Sequence, residues 1–599
     1  MLTGAPTSAP SPPRTTPPRD PSGRRPESGR PQTKEHSMKR RTLLATGPLA
    51  AALVAGTAAC SGQISTSSGG GGAASGDGTT IPQLTFPAEV AENVAGITNF
   101  NPFSPNVTSR NYFYEPLMIR SSMNCEVVPW IATEYTWRDE TTLVFTIREG
   151  VTWADGEPLT PEDVAFTLNL RKEFPAADDI GLWNDVFGAP AESVEVDGQD
   201  VVISFSGLAA AKFDSLITAK VLPQHVWQDV GDPTQYVEEE PVGSGPFALG
   251  SYNGRRLQLT RREDYWQAEK VAVQELILEG NYDATNAALK LAAGDLDAYW
   301  GEIPNPEQAF AAKDPALNHY WYAPAGSTVL TYNLAQAPFD DVALREAISQ
   351  GLDKDEISAK ATYSVMAPAS QTGLKLPYAE NLLPEAYAGQ DTVLPFDTAK
   401  AEELLDAAGY EKGSDGFRTL PDGTAFAPKF LVQAGWIDYQ AAADVVVRNL
   451  QSMGINASVQ TSPPEAVDQA KKDGDFDMLL EYLHGGCEVA RNLGSKLSSD
   501  QIPTEDTVRA NVGRWEDPAT DEIVAELSGE TDPEAQKALT GELVEIMMTQ
   551  YPVTCLFYAP ARMIYRTDKA EGWPSEEEPY GTNSEMLMII TRLVPPSAS

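Results

Sequence analysis

The sequence predicts an α/β protein whose folded part has more than one lobe. Strand-like and helix-like segments alternate through most of the 599 residues, and no internal repeat relates them. At roughly 100–200 residues per domain, a chain of this length has room for about three to five globular units. Hydrophobic residues make up 42% and charged residues 22%, close to an average soluble protein, so there is ample material for a buried core.

The first clear strand and helix lie between residues 143 and 168. Residues 143–147 alternate large apolar with mixed side chains, which predicts a half-buried strand. A helix then begins at Pro161, with Thr160 as its N-cap and Asp163 in the position that completes a capping box.

Turn and cap signals place the later elements. Asn253-Gly254 predicts a hairpin between strands at 247–252 and 257–260. Helices are predicted at 284–293, 340–350, 397–408 and 438–452, and strands at 429–433 and 455–460.

The charge of the chain argues against nucleic acid as a partner. Lys and Arg total 44 against 85 Asp and Glu, a formal net charge of −41, which repels phosphate backbones. The first 59 residues differ from the rest, because they contain nine basic and only three acidic residues.

The basic N-terminal part is expected to be an export signal behind a non-globular extension. Residues 1–37 have almost no apolar side chain, so we expect a disordered or non-translated extension, with Met38 as the physiological start. Residues 38–59 pair a basic stretch, Lys39-Arg40-Arg41, with an apolar run that is too short and interrupted to span a membrane, as in a signal peptide. The Arg pair resembles a twin-arginine signal, and the ordinary secretory route is the alternative.

Cys60 follows small residues in a pattern that resembles the lipobox of bacterial lipoproteins. The resemblance implies that Cys60 carries a lipid and becomes the mature N-terminus, which would attach the protein to the outer face of the plasma membrane. The Gly- and Ser-rich residues 60–80 are expected to form a flexible tether. A chance Cys after an ordinary signal peptide is the alternative.

Catalytic and metal-binding signatures are missing from the sequence. It contains no G-x-S-x-G, H-E-x-x-H or G-x-x-x-x-G-K-[ST] motif, and its histidines and cysteines do not cluster. We therefore expect a protein that is not an enzyme and that has no cofactor or metal site.

Several segments resemble the signature of family 5 extracellular solute-binding proteins, which are the peptide, nickel and oligosaccharide receptors of ABC importers. The resemblance covers about residues 85–599 in the order of the family. It is strongest at 127–132, 146–156, 159–164, 222–227, 241–247, 264–266, 332–341 and 399–410.

The resemblance implies a two-lobed periplasmic-binding-protein-like fold of type II with an extra inserted subdomain and a hinge. The expected segments are lobe Ia at 81–121, 239–335 and 564–599, subdomain Ib at 122–238, and lobe II at 336–563. The expected hinge residues are Tyr332, Asn333, Arg562 and Tyr565. The implied partners are an ABC permease with its ATPase subunits, and the permease would recognise the closed, liganded state.

For the ligand, the resemblance favours an oligosaccharide over an oligopeptide. Peptide receptors of the family often carry an Asp that pairs with the amino terminus of the peptide. The matching stretch of this chain, residues 476–487, has no Asp at the corresponding position. The oligopeptide stays open because Glu481 or Glu488 is near enough in sequence to replace that carboxylate. Segments that resemble the sugar receptors of the family are 101–106, 303–305, 319–326, 435–439, 511–515 and 572–576.

Aromatic side chains are the candidate ligand contacts, since a sugar ring offers an apolar face to them. Trp436 follows the strand at 429–433 and so lies at the carboxyl end of that strand, where open α/β sheets bind ligands. The sequence leaves open whether its side chain lies in the ligand cleft or in the hydrophobic core. Trp183, Trp300, Trp321 and Tyr482 are further candidates, for which core packing is the competing interpretation.

The three cysteines after Cys60 allow at most one intramolecular disulfide. Cys487 and Cys555 both fall in the expected lobe II and Cys125 does not, so any disulfide is expected to join Cys487 to Cys555. Buried free thiols are the alternative.

Two other classes of function remain open. A secreted glycosidase or peptidase would share the export signal and the acidic body but would turn its ligand over. A structural or adhesive lipoprotein would show no response to a small ligand.

Overall fold

The computed structural model describes residues 79–88, 99–103, 110–185, 188–252, 256–280 and 284–597. The predicted extension at 1–37, the signal peptide at 38–59, Cys60 and most of the tether at 60–80 lie outside the described residues. Within the described residues, no helix combines the length and hydropathy needed to cross a bilayer.

The described strands form four sheets. In chain order they are β1 (Ile81–Pro87), β2 (Met118–Arg120), β3 (Val127–Pro129), β4 (Ala132–Asp139), β5 (Thr142–Ile147), β6 (Ala191–Asp197), β7 (Asp200–Phe205), β8 (Phe247–Tyr252), β9 (Arg256–Arg261), β10 (Val273–Glu279), β11 (Ala298–Tyr299), β12 (Asn318–Tyr332), β13 (Lys429–Gln433), β14 (Ser458–Ser462), β15 (Met478–His484) and β16 (Val553–Arg566).

The α-helices lie between and around these strands. They are α1 (Arg110–Phe113), α2 (Pro161–Glu173), α3 (Phe213–Ile217), α4 (Gln224–Trp227), α5 (Ala284–Ala293), α6 (Pro306–Ala309), α7 (Val342–Gln350), α8 (Lys354–Thr362), α9 (Thr398–Ala407), α10 (Ile437–Ser452), α11 (Pro464–Asp473), α12 (Val489–Leu497), α13 (Pro518–Gly529), α14 (Pro533–Gln550) and α15 (Met586–Ile590).

Two four-stranded sheets and their cores make up one part of the molecule, which we call the first lobe. One sheet has the order β1-β10-β9-β8 and the other the antiparallel order β4-β5-β7-β6. The two cores share Trp266 and Tyr580 as packing residues, so they form one continuous body. The small sheet of β2 and β3 adds its apolar side chains to the second of these cores.

A six-stranded sheet of order β11-β16-β12-β15-β13-β14 extends from the first lobe into the remainder, which we call the second lobe. β12 and β16 are its long members, with 15 and 14 residues. Their residues near 318–324 and 560–566 contact the first lobe, where β11 pairs with Ile564 and Tyr565. Residues 326–332 pair with β15 instead, in the second lobe. The lobes are therefore joined through these two strands.

Most of the predicted elements are confirmed. The hairpin strands are β8 and β9, although its tip at 253–255 lies outside the described residues. The helix predicted at 284–293 is α5 with the same bounds, and Gly294 follows it at φ +75° in the left-handed region. The strand predicted at 455–460 begins only at Ser458, because the Ile455 amide still donates to Leu450 O at the end of α10.

The predicted cap of α2 forms and reaches beyond the helix. One carboxylate oxygen of Asp163 accepts from the Thr160 amide at 2.8 Å, and the other accepts from the Gln224 amide at 2.8 Å. Asp163 is only 5% exposed, so α2 and the start of α4 are tied together by one buried carboxylate.

We expect Asp163→Ala to lower the free energy of unfolding by about 1–3 kcal/mol, because two partly buried amides lose their acceptor. Urea denaturation followed by circular dichroism measures this loss. Glu162→Ala removes an exposed acidic side chain from the same first turn and should change the midpoint far less. Equal effects of the two substitutions would contradict the buried role of Asp163.

Candidate ligand-binding cleft

Three adjoining cavities lie where the two lobes face each other. The first, of about 270 Å³, we call the tyrosine cavity; the second, of about 520 Å³, the central cavity; and the third, of about 600 Å³, the outer cavity. The tyrosine and central cavities share Ala325 and Tyr482 as walls. The central and outer cavities share Ser122, Asp214, Gly486, Cys487, Arg491 and Ser584. Because neighbouring cavities share walls, the three form one extended cleft.

Four tyrosines from both lobes line the tyrosine cavity: Tyr322, Tyr363, Tyr439 and Tyr482. Its polar walls include Arg562 and Glu302, whose Nη2 and Oε2 atoms are 3.8 Å apart. Aromatic walls with a few charged groups suit a ligand that has apolar faces and several hydrogen-bonding groups.

Carboxylates from the two lobes meet in the central cavity. The Glu488 Oε1 atom accepts from the Asp214 amide at 3.3 Å, and Asp214 forms an ion pair with Arg120. The Glu488 Oε2 atom is buried and has no hydrogen-bond partner among the described residues. Burial, and then the Asp214 charge, raise the pKa of Glu488 to about 8. At neutral pH Glu488 is therefore mostly protonated, and its Oε2 atom is a buried polar group without a partner among the described residues.

Glu481, the other carboxylate considered from the sequence, is already neutralised. Its two oxygens lie 2.8 Å from Lys471 Nζ and 3.6 Å from Lys496 Nζ. Lys496 is buried and also donates to Ala510 O at 2.8 Å. With two lysines beside it, Glu481 is not available to pair with the amino terminus of a peptide.

Of the predicted aromatic contacts, Tyr482 is the one that the fold brings into the cleft. Trp436 lies just beyond the cleft, 45% exposed at the start of α10, and its ring meets that of Tyr439 edge-on at 5.0 Å. Its exposure means that Trp436 is not a core residue. Whether it contacts a ligand stays a prediction.

The other three tryptophans are packed away from the cavities. Trp183 donates through Nε1 to Leu168 O at 2.8 Å, and Trp300 packs edge-on against Phe86 at 5.5 Å. Trp321 is 8% exposed and packs with Met123. None of the three lines these cavities, which favours the structural role that the sequence left open for them.

The four predicted hinge residues lie in different parts of the molecule. The Tyr332 hydroxyl is buried 2.6 Å from Thr554 Oγ1, and Asn333 Nδ2 donates to Gly474 O at 2.8 Å, so both belong to the second lobe. Tyr565 stacks on Trp573 in the first lobe, with ring centroids 5.3 Å apart. Arg562 lies between the lobes, in the wall of the tyrosine cavity. A hinge at these four residues stays a prediction.

The predicted disulfide between Cys487 and Cys555 is wrong. Cys487 is bonded to Cys125, with Cα atoms 5.4 Å apart, and Cys555 is a buried free thiol on β16. Cys555 points into the core of the second lobe, whereas Cys487 lies past the end of β15, where the first lobe faces it. The expected lobes placed Cys125 and Cys487 in different segments, and the prediction took this as a reason against pairing them; in the structure their loops meet.

Several cleft residues carry no signal in the sequence. Arg120, Asp214 and Lys375 come from three separate segments, and each is an ordinary charged residue until the lobes face each other. Among the described residues, no three His, Cys, Asp or Glu side chains are grouped so as to hold a metal ion.

Comparison with known proteins gives the class to which this fold and cleft belong. Residues 126–496, more than half of the chain, match the model of the bacterial extracellular solute-binding proteins, family 5 (middle region), and the chain belongs to this family. Members of the family are the periplasmic or extracellular receptors of ABC importers.

Curated relatives share about a quarter of their residues with the chain. Di/tripeptide-binding protein 1 of Pseudomonas aeruginosa is 24% identical over 486 residues, covering 77% of this chain and 85% of the relative. The nickel-binding periplasmic protein of Escherichia coli is 24% identical over 490 residues, covering 78% and 88%.

Solved structures confirm the two-lobed periplasmic-binding-protein-like fold. A periplasmic oligopeptide-binding protein of Thermotoga maritima superposes with a TM-score of 0.76 at 22% identity, over 86% of this chain and 99% of that one. The same Thermotoga protein bound to mannohexaose gives a TM-score of 0.67 at 22% identity, over 86% and 98%.

The pKa of Glu488 predicts a pH dependence of stability. Because the folded protein holds this proton to higher pH than the unfolded chain does, the free energy of unfolding should fall as pH rises from about 4.5 to about 8. Glu488→Gln should flatten that fall, measured by urea denaturation across the range. Glu126→Gln, which alters an exposed carboxylate in the neighbouring turn, should leave it unchanged. A slope that is the same in wild type and Glu488→Gln would refute the assignment.

Proposed function

We propose that this protein is a lipid-anchored receptor of an ABC importer that captures an extended oligosaccharide in the cleft and delivers it to the permease. Membership of family 5 supports the receptor role. The ligand class is supported by the tyrosine cavity, in which four aromatic side chains adjoin a larger cavity that several polar side chains help to line. This juxtaposition is the observation that carries the proposal.

An oligosaccharide fits the chemistry of both parts of the cleft. Sugar rings pack their apolar faces on aromatic side chains, and their hydroxyls donate to and accept from polar groups. Tyr439 and Tyr482 offer the aromatic surface, while Asn492, Ser495 and Gln501 line the central cavity next to it. The Glu488 carboxyl group, which lines the central cavity and whose Oε2 atom has no partner among the described residues, would form a hydrogen bond with a sugar hydroxyl.

Two further observations support a sugar. Glu481 is neutralised by Lys471 and Lys496, so the carboxylate on β15 does not serve as an ammonium anchor. The Thermotoga protein with the same fold has been solved with mannohexaose, although it is described as an oligopeptide-binding protein.

An oligopeptide is the second candidate, and Glu488 is the reason to keep it. The Asp214 carboxylate, and Glu488 once it has lost its proton, would pair with an ammonium group, as a peptide amino terminus requires. Arg491, in the same cavity wall, would then face the peptide carboxylate. The relatives that are named as di/tripeptide-binding proteins agree with this alternative.

A thermal-shift screen separates these ligands. A receptor at about a hundred times its dissociation constant gains roughly 2.7 kcal/mol of stability, which gives a clear rise in melting temperature. We expect the rise with mannohexaose or a β-linked glucan oligosaccharide and none with a matched set of di- to pentapeptides. Stabilisation by peptides alone would reverse the choice. Recovery of shortened sugar or cleaved peptide after incubation would point to a hydrolase instead.

Removing aromatic surface should weaken sugar binding. Tyr482→Ala deletes a ring that borders both the tyrosine and central cavities, and Trp436→Ala deletes the exposed ring beside Tyr439. We expect each to lose about ten-fold or more in affinity by calorimetry, since stacked rings contribute on the order of 1.5 kcal/mol. Trp183→Phe, in the packed first-lobe site, is the matched control and should bind normally. Wild-type affinity in the Trp436 variant would make that residue a bystander.

The anchor is tested at Cys60, which lies outside the described residues. Lipid attachment needs the thiol, so Cys60→Ala should move the protein from the membrane fraction to the medium or leave an unprocessed precursor. Metabolic labelling with a fatty-acid analogue and cell fractionation measure this. Undiminished lipid labelling of the variant would refute the lipoprotein assignment.

A further inference from the structure

The Cys125–Cys487 disulfide joins the two lobes at the edge of the ligand cleft. Cys125 belongs to the turn between β2 and β3 in the first lobe, and Cys487 lies between β15 and α12 in the second. The two residues are 362 positions apart in the chain. Cys487 itself lines both the central and outer cavities. The bond therefore closes the cleft beside the space that a ligand would occupy.

The strip around the disulfide is a contact between lobes that is otherwise non-covalent. Arg491 Nη1 donates to Ser215 Oγ at 3.2 Å, and Lys375 Nζ donates to Ser122 O. Met123 is fully buried against Trp321. Polar contacts such as the first two are individually weak and break readily when two lobes separate. A disulfide does not.

The bond sets a limit on how far these walls can separate. A disulfide keeps the two Cα atoms of its cysteines within about 7 Å of each other. In this structure the Cα atoms of Cys125 and Cys487 are 5.4 Å apart. When one lobe rotates against the other, the 121–126 turn moves relative to residues 485–488, which lie next to β12 at Ala325. With the bond intact, that movement is limited at this edge of the cleft.

We propose that Cys125 and Cys487 form a redox latch: the disulfide holds the cleft closed over its ligand, and reduction by a dithiol frees the lobes to open. The latch depends on the proposed receptor function only because it takes this cleft as the ligand site. Opening of the cleft would then be controlled both by ligand binding and by the thiol–disulfide balance at the cell surface.

The chemistry of the latch is a thiol–disulfide exchange. A thiolate of the reductant attacks one sulfur, the Cys125–Cys487 bond breaks, and a mixed disulfide forms while the other cysteine leaves as a thiol. The second thiol of the reductant then attacks the mixed disulfide and displaces the cysteine sulfur of the protein. The reductant ends as a disulfide, and the protein gains two electrons and two protons. A disulfide oxidant reverses these steps after the lobes close.

The surroundings of the bond suit such exchange. Cys125 and Cys487 are both only half-buried, so a reductant can reach them, whereas Cys555 is buried and its pKa is raised to about 12. Arg491 lines the same cavities as Cys487, and a nearby cation stabilises the leaving thiolate. Cys555 thus provides an inert internal reference.

Small-angle scattering of the full-length chain without ligand tests the latch directly. We expect a larger radius of gyration after treatment with dithiothreitol than before it, and the larger value in Cys125→Ser and in Cys487→Ser without any reductant. Cys555→Ala keeps the bond and should respond to the reductant as wild type does. Superimposable curves for oxidised, reduced and variant proteins would overturn the proposal, as would non-reducing peptide mapping that finds Cys125 and Cys487 unpaired.

Ligand release gives a second, independent measurement. With labelled mannohexaose as the probe, we expect the oxidised protein to release it about ten-fold or more slowly than the reduced protein or the Cys125→Ser variant. Equal release rates in both redox states would overturn the latch. If mannohexaose binds in neither state, the oligosaccharide proposal fails, and the scattering experiment alone decides the latch.

Discussion

The antiparallel pairing of β12 with β16 is the interaction on which the rest of the molecule depends. Its ladder runs from Asn318 opposite Arg566 to Thr331 opposite Val553, and polar contacts close both ends. One end is fixed in the first lobe by β11 and the other in the second lobe by β15. Any motion between the lobes has to be absorbed along these strands, and the register of the ladder shifts between Pro324 and Gly326 and again between Thr328 and Val329. A Cβ at Gly326 would lie 2.4 Å from Leu483 O, so the close approach of β15 requires glycine there.

The same two strands form a wall of the cleft. Tyr322 and Thr328 of β12, with Phe557 and Arg562 of β16, line the tyrosine cavity. The elements that connect the lobes therefore also contact the ligand in the proposed function. A ligand that bridges the cleft would contact the same strands that must bend when the lobes move. Ligand binding and closure are therefore coupled through these two strands.

Charge is arranged differently in the cleft and over the whole chain. The protein carries a formal −41, yet several charged groups of the cleft are paired, as in Arg120 with Asp214 and Arg562 with Glu302. Pairing weakens the field that each of these four groups would otherwise project into the site. The cleft also offers aromatic and hydrogen-bonding surface, including the Glu488 Oε2 atom, which has no partner among the described residues. Such a surface favours an uncharged, hydroxyl-rich ligand over one that is bound by charge.

The sequence by itself determined the local structure and the family. The Thr160–Asp163 cap, the pairing of β8 with β9, the bounds of α5 and the strand at 429–433 follow from neighbouring residues, whose conformational preferences act within a few positions. The cap segment is also one of those that carry the family resemblance, which placed the chain among two-lobed receptors. Only the tertiary structure decided which cysteine pairs with Cys487, that Glu481 is neutralised, and that Tyr482 rather than Trp183, Trp300 or Trp321 enters the cleft. These outcomes depend on contacts between segments as far as 362 residues apart, and such contacts are fixed by how the lobes face each other, which no local pattern encodes.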